Sequence, residues 1–281
     1  MPQHSRRPLL DQVDSLRRQF AQAPGLPFGD VLATVAVEEA FRAEGEGVAG
    51  YDCVYTPLTT VRLLVSQALD PDPSLGQAVS RLLAERAAQG QGTPSAATGA
   101  YSQARQRLPE GVLQRLARHA GAALLERAPD PWRWKGRDVK IVDGTTVSMP
   151  DTPANQAAYP QPSHERPGLG FPLARLVAVF SLAVGTVLDA ALGPFTGKRT
   201  GEPALFRSLH DRLRPGDVVL ADRYYCSYFE IALLQQRGID VVMRLHQRRP
   251  VDFRRGRRLG PEDHVIVWKK PKRPEWLDES S

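Results

Sequence analysis

Two aspartates are the residues of this chain best placed to do chemistry. Asp143 lies in Val142-Asp143-Gly144-Thr145-Thr146, and Asp222 in Leu220-Ala221-Asp222-Arg223-Tyr224. Each follows a short apolar or β-branched run, Val139-Lys140-Ile141-Val142 and Val218-Val219-Leu220-Ala221, so each carboxylate is expected at the C-terminal end of a strand. A carboxylate there can hold a divalent metal over a rigid sheet, because the backbone behind it is fixed. Two from neighbouring strands can share one ion, whose charge relieves their repulsion. Plainer readings stand beside these. Aspartate before glycine is a common turn residue, and Asp222 beside Arg223 reads equally as a surface ion pair.

The elements around the pair give it context. Leu173 to Val184 is a nearly unbroken apolar strand, with Thr186 to Leu192 as its hairpin partner and Gly185 at the turn. Pro203 to Leu213 reads as an amphipathic helix through Leu205, Leu209 and Leu213, with Thr200 and Glu202 offering capping oxygens just ahead of it. After the Asp222 strand comes a helix over Tyr228 to Arg237, stopped by Gly238, and a strand over Asp240 to Leu245. The string is strand, strand, strand, helix, strand, helix, strand. It resembles the ribonuclease H-like core, an α/β mixed sheet with flanking helices in which the first and fourth strands lie side by side.

The motifs themselves resemble a family. Val142-Asp143-Gly144-Thr145-Thr146-Val147-Ser148-Met149-Pro150-Asp151-Thr152 is similar to the first catalytic motif of insertion-sequence DDE transposases of the IS-four type, and Leu220-Ala221-Asp222-Arg223-Tyr224-Tyr225 to their second. Thr98-Gly99-Ala100-Tyr101-Ser102-Gln103-Ala104-Arg105-Gln106-Arg107-Leu108-Pro109 is similar to an upstream segment of the same family, so the likeness runs from about Tyr55 to the C-terminus. It implies that Asp143 and Asp222 are catalytic and ligate Mg2+ (or Mn2+). It also implies metal-dependent phosphoryl transfer on double-stranded DNA, in which element ends are cut and their 3′-hydroxyls joined to target. Two ions roughly 4 Å apart activate the nucleophile and stabilise the leaving oxygen in such sites. Thr145 and Thr146 read either as support for the metal site or as ordinary strand residues. Arg223 reads as a phosphate contact or as a partner of a nearby acid; Lys198 and Arg199 have no assigned role.

The family carries a third acid, a glutamate within Y-x2-R-x3-E-x6-K, on a helix beyond a β-rich insertion. No tyrosine after Asp222 has an arginine three places on: Tyr224 leads to Ser227, Tyr225 to Tyr228 and Tyr228 to Ile231. Glu262 and Glu275 lie beside prolines, and Glu279 is near Ser281. The expectation is that no third acid is present and that the chain is a truncated or frameshifted transposase of doubtful activity. The alternatives are a nuclease or resolvase on the same fold and a non-catalytic DNA-binding remnant.

Charge is concentrated. The 281 residues carry a net charge of +6, yet Arg244 to Arg273 alone holds eleven Lys or Arg against Asp252, Glu262 and Asp263. Arg248, Arg249, Arg254, Arg255, Arg257, Arg258, Lys269 and Lys270 are the candidate DNA contacts of this patch, which would release counterions from a phosphate backbone. A solvated basic stretch is the plainer reading. Trp268 among the lysines favours a folded contact surface, and Pro250, Gly256, Pro261 and Pro271 predict loops and short strands.

Upstream the chain reads as helical: Leu9 to Ala23, Phe28 to Arg42, Leu58 to Leu69, Leu75 to Gln89, Ala96 to Leu108 and Val112 to Arg127. The expected division is a helical domain over 1–130 with Arg105 and Arg107 as its candidate transposon-end surface, a catalytic core over 131–246, and a partial basic β-rich insertion over 247–281. Arg105 and Arg107 also suit a plain water-facing helix. The two cysteines, Cys53 and Cys226, have no metal-ligand spacing, and no apolar stretch approaches the ~20 residues of a membrane helix. The sequence holds no H-E-x-x-H and no G-x-x-x-x-G-K, so zinc chemistry and a nucleotide cofactor have no support. A cytoplasmic protein, nucleoid-associated on DNA and a homodimer when active, is the expected setting.

Overall fold

The computed structural model describes residues 32–46, 53–163, 165–166, 168–247 and 252–277. The expected helix over Leu9 to Ala23 lies outside them, as do Arg248, Arg249 and Glu279. The chain divides into two compact units, with the division after Ala120.

The first unit is helical. Its described helices are α1 (Thr34–Ala43), α2 (Pro57–Leu69), α3 (Leu75–Ala88) and α4 (Gly99–Gln106), followed by the start of α5 (Glu110–Glu126). Local chemistry sets the starts of α2 and α3. Thr56 and Ser74 are N-caps whose hydroxyls accept from the amides of Thr59 and Gln77, and Pro57 opens α2 where no amide is needed. α2 serves two apolar clusters: Val61 joins Val37, Phe41, Val112 and Leu116, while Leu63 joins Val79, Leu82 and Tyr101. The buried Tyr101 hydroxyl donates to Gln67 at 2.9 Å.

The second unit is mixed α/β. Its elements are β1 (Val139–Ser148), α6 (Pro153–Ala158), β2 (Leu173–Ser181), β3 (Val187–Pro194), α7 (Glu202–Arg207), β4 (Val218–Ala221), α8 (Tyr228–Gln236), β5 (Asp240–Met243), β6 (Arg257–Arg258) and β7 (His264–Val265). The five-stranded sheet runs β3-β2-β1-β4-β5, and β6 and β7 form a separate pair. β1 pairs antiparallel with β2 and parallel with β4, so the first and fourth strands are neighbours as expected. Gly185, at φ +64°, turns the β2–β3 hairpin, and Gly238, at φ +72°, ends α8. Val142, Val177, Val179, Val219 and Ala221 face Phe206, Leu209, Leu213, Tyr225 and Leu234, so α7, α8 and their flanks cover one face of the sheet.

Several boundaries differ from expectation, among them the end of β2, at Ser181 and not Val184. The helix expected to reach Leu213 stops at Arg207, and His210–Arg212 is a 3-10 turn. There the Ser208 hydroxyl donates to Leu205 O at 2.6 Å, and tightening the chain brings His210 to the buried Glu230. Neither expected cap forms: Gly201 is the N-cap of α7, and Thr200 donates instead to Gly197 O. β5 ends two residues early, at Met243.

Candidate active site

β1 and β4 are in register from Val139↔Val218 to Val142↔Ala221. The residues that follow this last pair are Asp143 and Asp222, so two carboxylates 79 residues apart in sequence leave the same rung of one parallel ladder. Asp222 is at a strand end, as expected. Asp143 is not: β1 continues to Ser148, its second half paired only with β2 through Gly144↔Val177 to Ser148↔Leu173. The Asp143-Gly144 step is therefore extended strand and no turn, which removes the turn reading of that aspartate.

Both aspartates are exposed. Asp143 Oδ1 accepts from the Gly144 amide at 2.8 Å and Asp222 Oδ1 from the Tyr224 amide at 2.7 Å. The second oxygen of each has no hydrogen bond among the described residues, and neither acid meets a cation there. The ion-pair reading of Asp222 with Arg223 fails as well, since Arg223 donates to Gln247 at 3.1 Å.

A third carboxylate stands close by. Glu202, the first residue of α7, lies against the bare Cα of Gly144, where an added Cβ would come within 2.6 Å of its Cδ. Its Oε2 accepts from the Tyr225 hydroxyl at 3.3 Å. Burial pushes the Tyr225 hydroxyl far above its ordinary range; Glu202 adds to this, and then Asp143 and Asp222. One phenol thus feels all three acids. Sequence reasoning weighed Glu202 only as a helix cap. The signal that could have found it was the glycine inside a strand, which marks close approach of another group.

The donor chemistry suits Mg2+, which takes oxygen ligands and is commonly held by one or two carboxylates, waters and substrate phosphates. Among the described residues no group of three or more His, Cys, Asp or Glu side chains is placed to hold a metal ion together, so Asp143, Asp222 and Glu202 do not form a three-acid metal site. Thr145 and Thr146, also weighed as supports, are exposed on β1.

The candidate DNA contacts are dispersed. Arg105 is half-buried over the Tyr101 ring, 5.8 Å from its centroid, and Arg107 is exposed at the end of α4. Arg254 grips Asp252 through two bonds of 2.9 and 3.2 Å, and Arg255 approaches the same acid at 3.6 Å. Arg257 and Arg258 form β6, where Arg258 Nε donates to Gly260 O at 3.0 Å; Lys269 and Lys270 are exposed. Trp268, read from sequence as part of a contact surface, packs edge-on against Tyr228 at 5.9 Å, and Trp276 lies 3.8 Å beneath the Arg207 guanidinium. These indoles bind the C-terminal segment to α7 and α8. Among the described residues no helix is long and apolar enough to cross a membrane.

Comparison with known proteins bears on the same stretch of chain. The Transposase InsG for insertion sequence element IS4 of Escherichia coli (strain K12) is 27% identical over 206 residues, covering 73% of this chain and 45% of that protein. The chain thus spans about half the length of this curated relative. Residues 134–277, which contain the whole five-stranded sheet and both aspartates, match the family described as Transposase DDE domain, and with that match the chain belongs to the DDE transposases, of the IS4 type.

Proposed function

We propose that this chain acts in DNA transposition, with Asp143 and Asp222 as the metal-binding acids of a phosphoryl-transfer site on a ribonuclease H-like core. The observation that carries the reading is the β1–β4 register, which sends both acids out from the pair Val142↔Ala221. The strand order β3-β2-β1-β4-β5, with β2 antiparallel, supports the fold assignment. Asp143 and Asp222 each keep an oxygen for the ion, and rigid pairing of their strands holds the spacing between them. Bound Mg2+ or Mn2+ would supply charge stabilisation at phosphorus and a deprotonated attacking oxygen. Duplex DNA is the proposed partner, met by the exposed Arg257, Arg258, Lys269 and Lys270.

A second reading, DNA binding without catalysis, rests on the exposed basic residues Arg257, Arg258, Lys269 and Lys270 alone. The test is Mg2+-dependent nicking of duplex carrying the element's ends. The first reading expects nicking that Asp143→Asn and Asp222→Asn each reduce roughly a thousandfold, the several kcal/mol of charge stabilisation that an ion provides. Nicking indifferent to both substitutions overturns it. Salt-sensitive binding with no nicking at all selects the second reading.

A further inference from the structure

We propose that Glu202 is a positioning residue of the Asp143–Asp222 site, a latch that ties the strand bearing the first acid to the loop bearing the second. The inference rests on the reading just given, since it concerns how that pair is held.

The latch has three contacts. On one side, the Glu202 side chain fills the space above Gly144, the residue next to Asp143, where any Cβ would collide with its Cδ, Cγ and Oε2 at 2.6, 2.8 and 2.9 Å. On the other, Glu202 accepts from Tyr225, three residues beyond Asp222. Behind it, the turn into α7 is fixed to β2, because Arg175 donates to Thr200 O at 2.9 Å and Arg175 pairs with Thr146 across β1 and β2.

Tyr225 is a stiff arm for this purpose. It is only 1% exposed, and Phe206 meets its ring edge-on at 5.7 Å and 88°. The loop between them is short and locally braced, since Asp222 accepts from Tyr224 N. β4 itself ends at Ala221, so backbone pairing with β1 stops one residue before Asp222. From that point Glu202 touches both segments, beside the apolar cluster that Val142 and Tyr225 share. Strand alternation places Gly144 and Asp143 on opposite faces of β1, so Glu202 braces the acids from the helix-covered face. Its role is therefore geometric: it fixes where Asp222 stands relative to Asp143.

The experiment titrates the 281-residue chain with Mn2+ alone, by calorimetry and by the loss of free-ion paramagnetic signal, with a denaturant midpoint recorded for every variant. Glu202→Ala and Tyr225→Phe are expected to weaken Mn2+ binding by about ten- to a hundredfold, the usual cost of losing a group that orients ligands. Glu202→Gln keeps an oxygen acceptor and the side-chain volume, so it is expected to stay within about threefold of the parent. The alanine or phenylalanine variants binding as the parent does, while Asp143→Asn loses the ion, overturn the latch and leave the proposed function standing. Glu202→Gln failing as badly as Glu202→Ala also overturns it, because charge and not position would then be the contribution. Asp143→Asn binding Mn2+ unchanged removes the proposed function itself. Should Glu202→Ala not fold, Tyr225→Phe and Glu202→Gln decide the matter alone.

Discussion

Glu230 and the Asp143–Asp222–Glu202 group are both built around the segment from Glu202 to Arg212, and they are built in opposite ways. Glu230 is 0% exposed on α8, and both its oxygens are bonded: Oε2 to Arg207 at 2.9 Å and Oε1 to His210 Nε2 at 2.7 Å. Its own amide is capped by Ser227. The three acids at the end of the β1–β4 ladder meet no cation among the described residues, and two of them are exposed. Like charges that all act on one phenol, as these do on Tyr225, repel one another, and folding does not gain by it. A closed cluster with its groups answered serves stability. The acids at the ladder's end do not serve it in that way: Asp143 and Asp222 each leave an oxygen without a hydrogen bond among the described residues.

The largest effect that tests this contrast is on stability. Glu230→Ala leaves Arg207 and His210 without their buried partner and is expected to cost about 3–5 kcal/mol. Asp143→Asn, at an exposed position with no cation partner, is expected to stay within about 0.5 kcal/mol. Denaturant midpoints at a common slope measure both. Comparable losses at the two positions would break the contrast, since Asp143 would then be part of the scaffold.

A smaller effect sharpens it. Gly144→Ala drives a methyl into Glu202, but the atoms it meets belong to the outer part of a side chain that can swing aside. The expected stability loss is about 1 kcal/mol, at the low end for overpacking. Affinity for Mn2+ should fall alongside it, because the displaced Glu202 releases Tyr225. A fall in stability as large as that of Glu230→Ala would instead make Gly144 a core packing position.

What the sequence shows and hides follows the same division. The strands were legible because Leu173 to Ser181 and Val218 to Ala221 are apolar enough to read locally, and the acids because their motifs sit beside them. The far half of β1 was not. Gly144-Thr145-Thr146 looks like the start of a loop, and only the distant residues Leu173 to Val177 make it a strand. The early end of α7 was equally hidden, since its cause is a glutamate 20 residues after His210. Trp268 looked free for a ligand because Tyr228, which it packs against, is 40 residues away. In each case the deciding partner is remote in sequence, and periodicity carries no record of it.

The smallest effect concerns the basic segment, where the contrast between answered and unanswered charge recurs within five residues. Arg254 and Arg255 share Asp252, whereas Arg257 has no ion-pair partner among the described residues and Arg258 gives only one nitrogen, to a carbonyl. A phosphate that recruits Arg254 must compete with a carboxylate already in place, so its net gain is lower. Each full phosphate contact contributes about 0.9 to the slope of log affinity against log salt. Neutralising Arg257 and Arg258 together should therefore flatten that slope by close to 2, on the order of two contacts. Neutralising Arg254 and Arg255 should flatten it by clearly less, because both guanidinium groups are already engaged by Asp252 and make less than full phosphate contacts. Fluorescence anisotropy with a fixed duplex over a salt series measures both slopes. Equal slopes for the two double variants would show that the Asp252 pairing is too weak to matter at this exposed surface. A slope unchanged in either would relegate the β6 arginines to solvated surface and move the proposed DNA contact elsewhere on the chain.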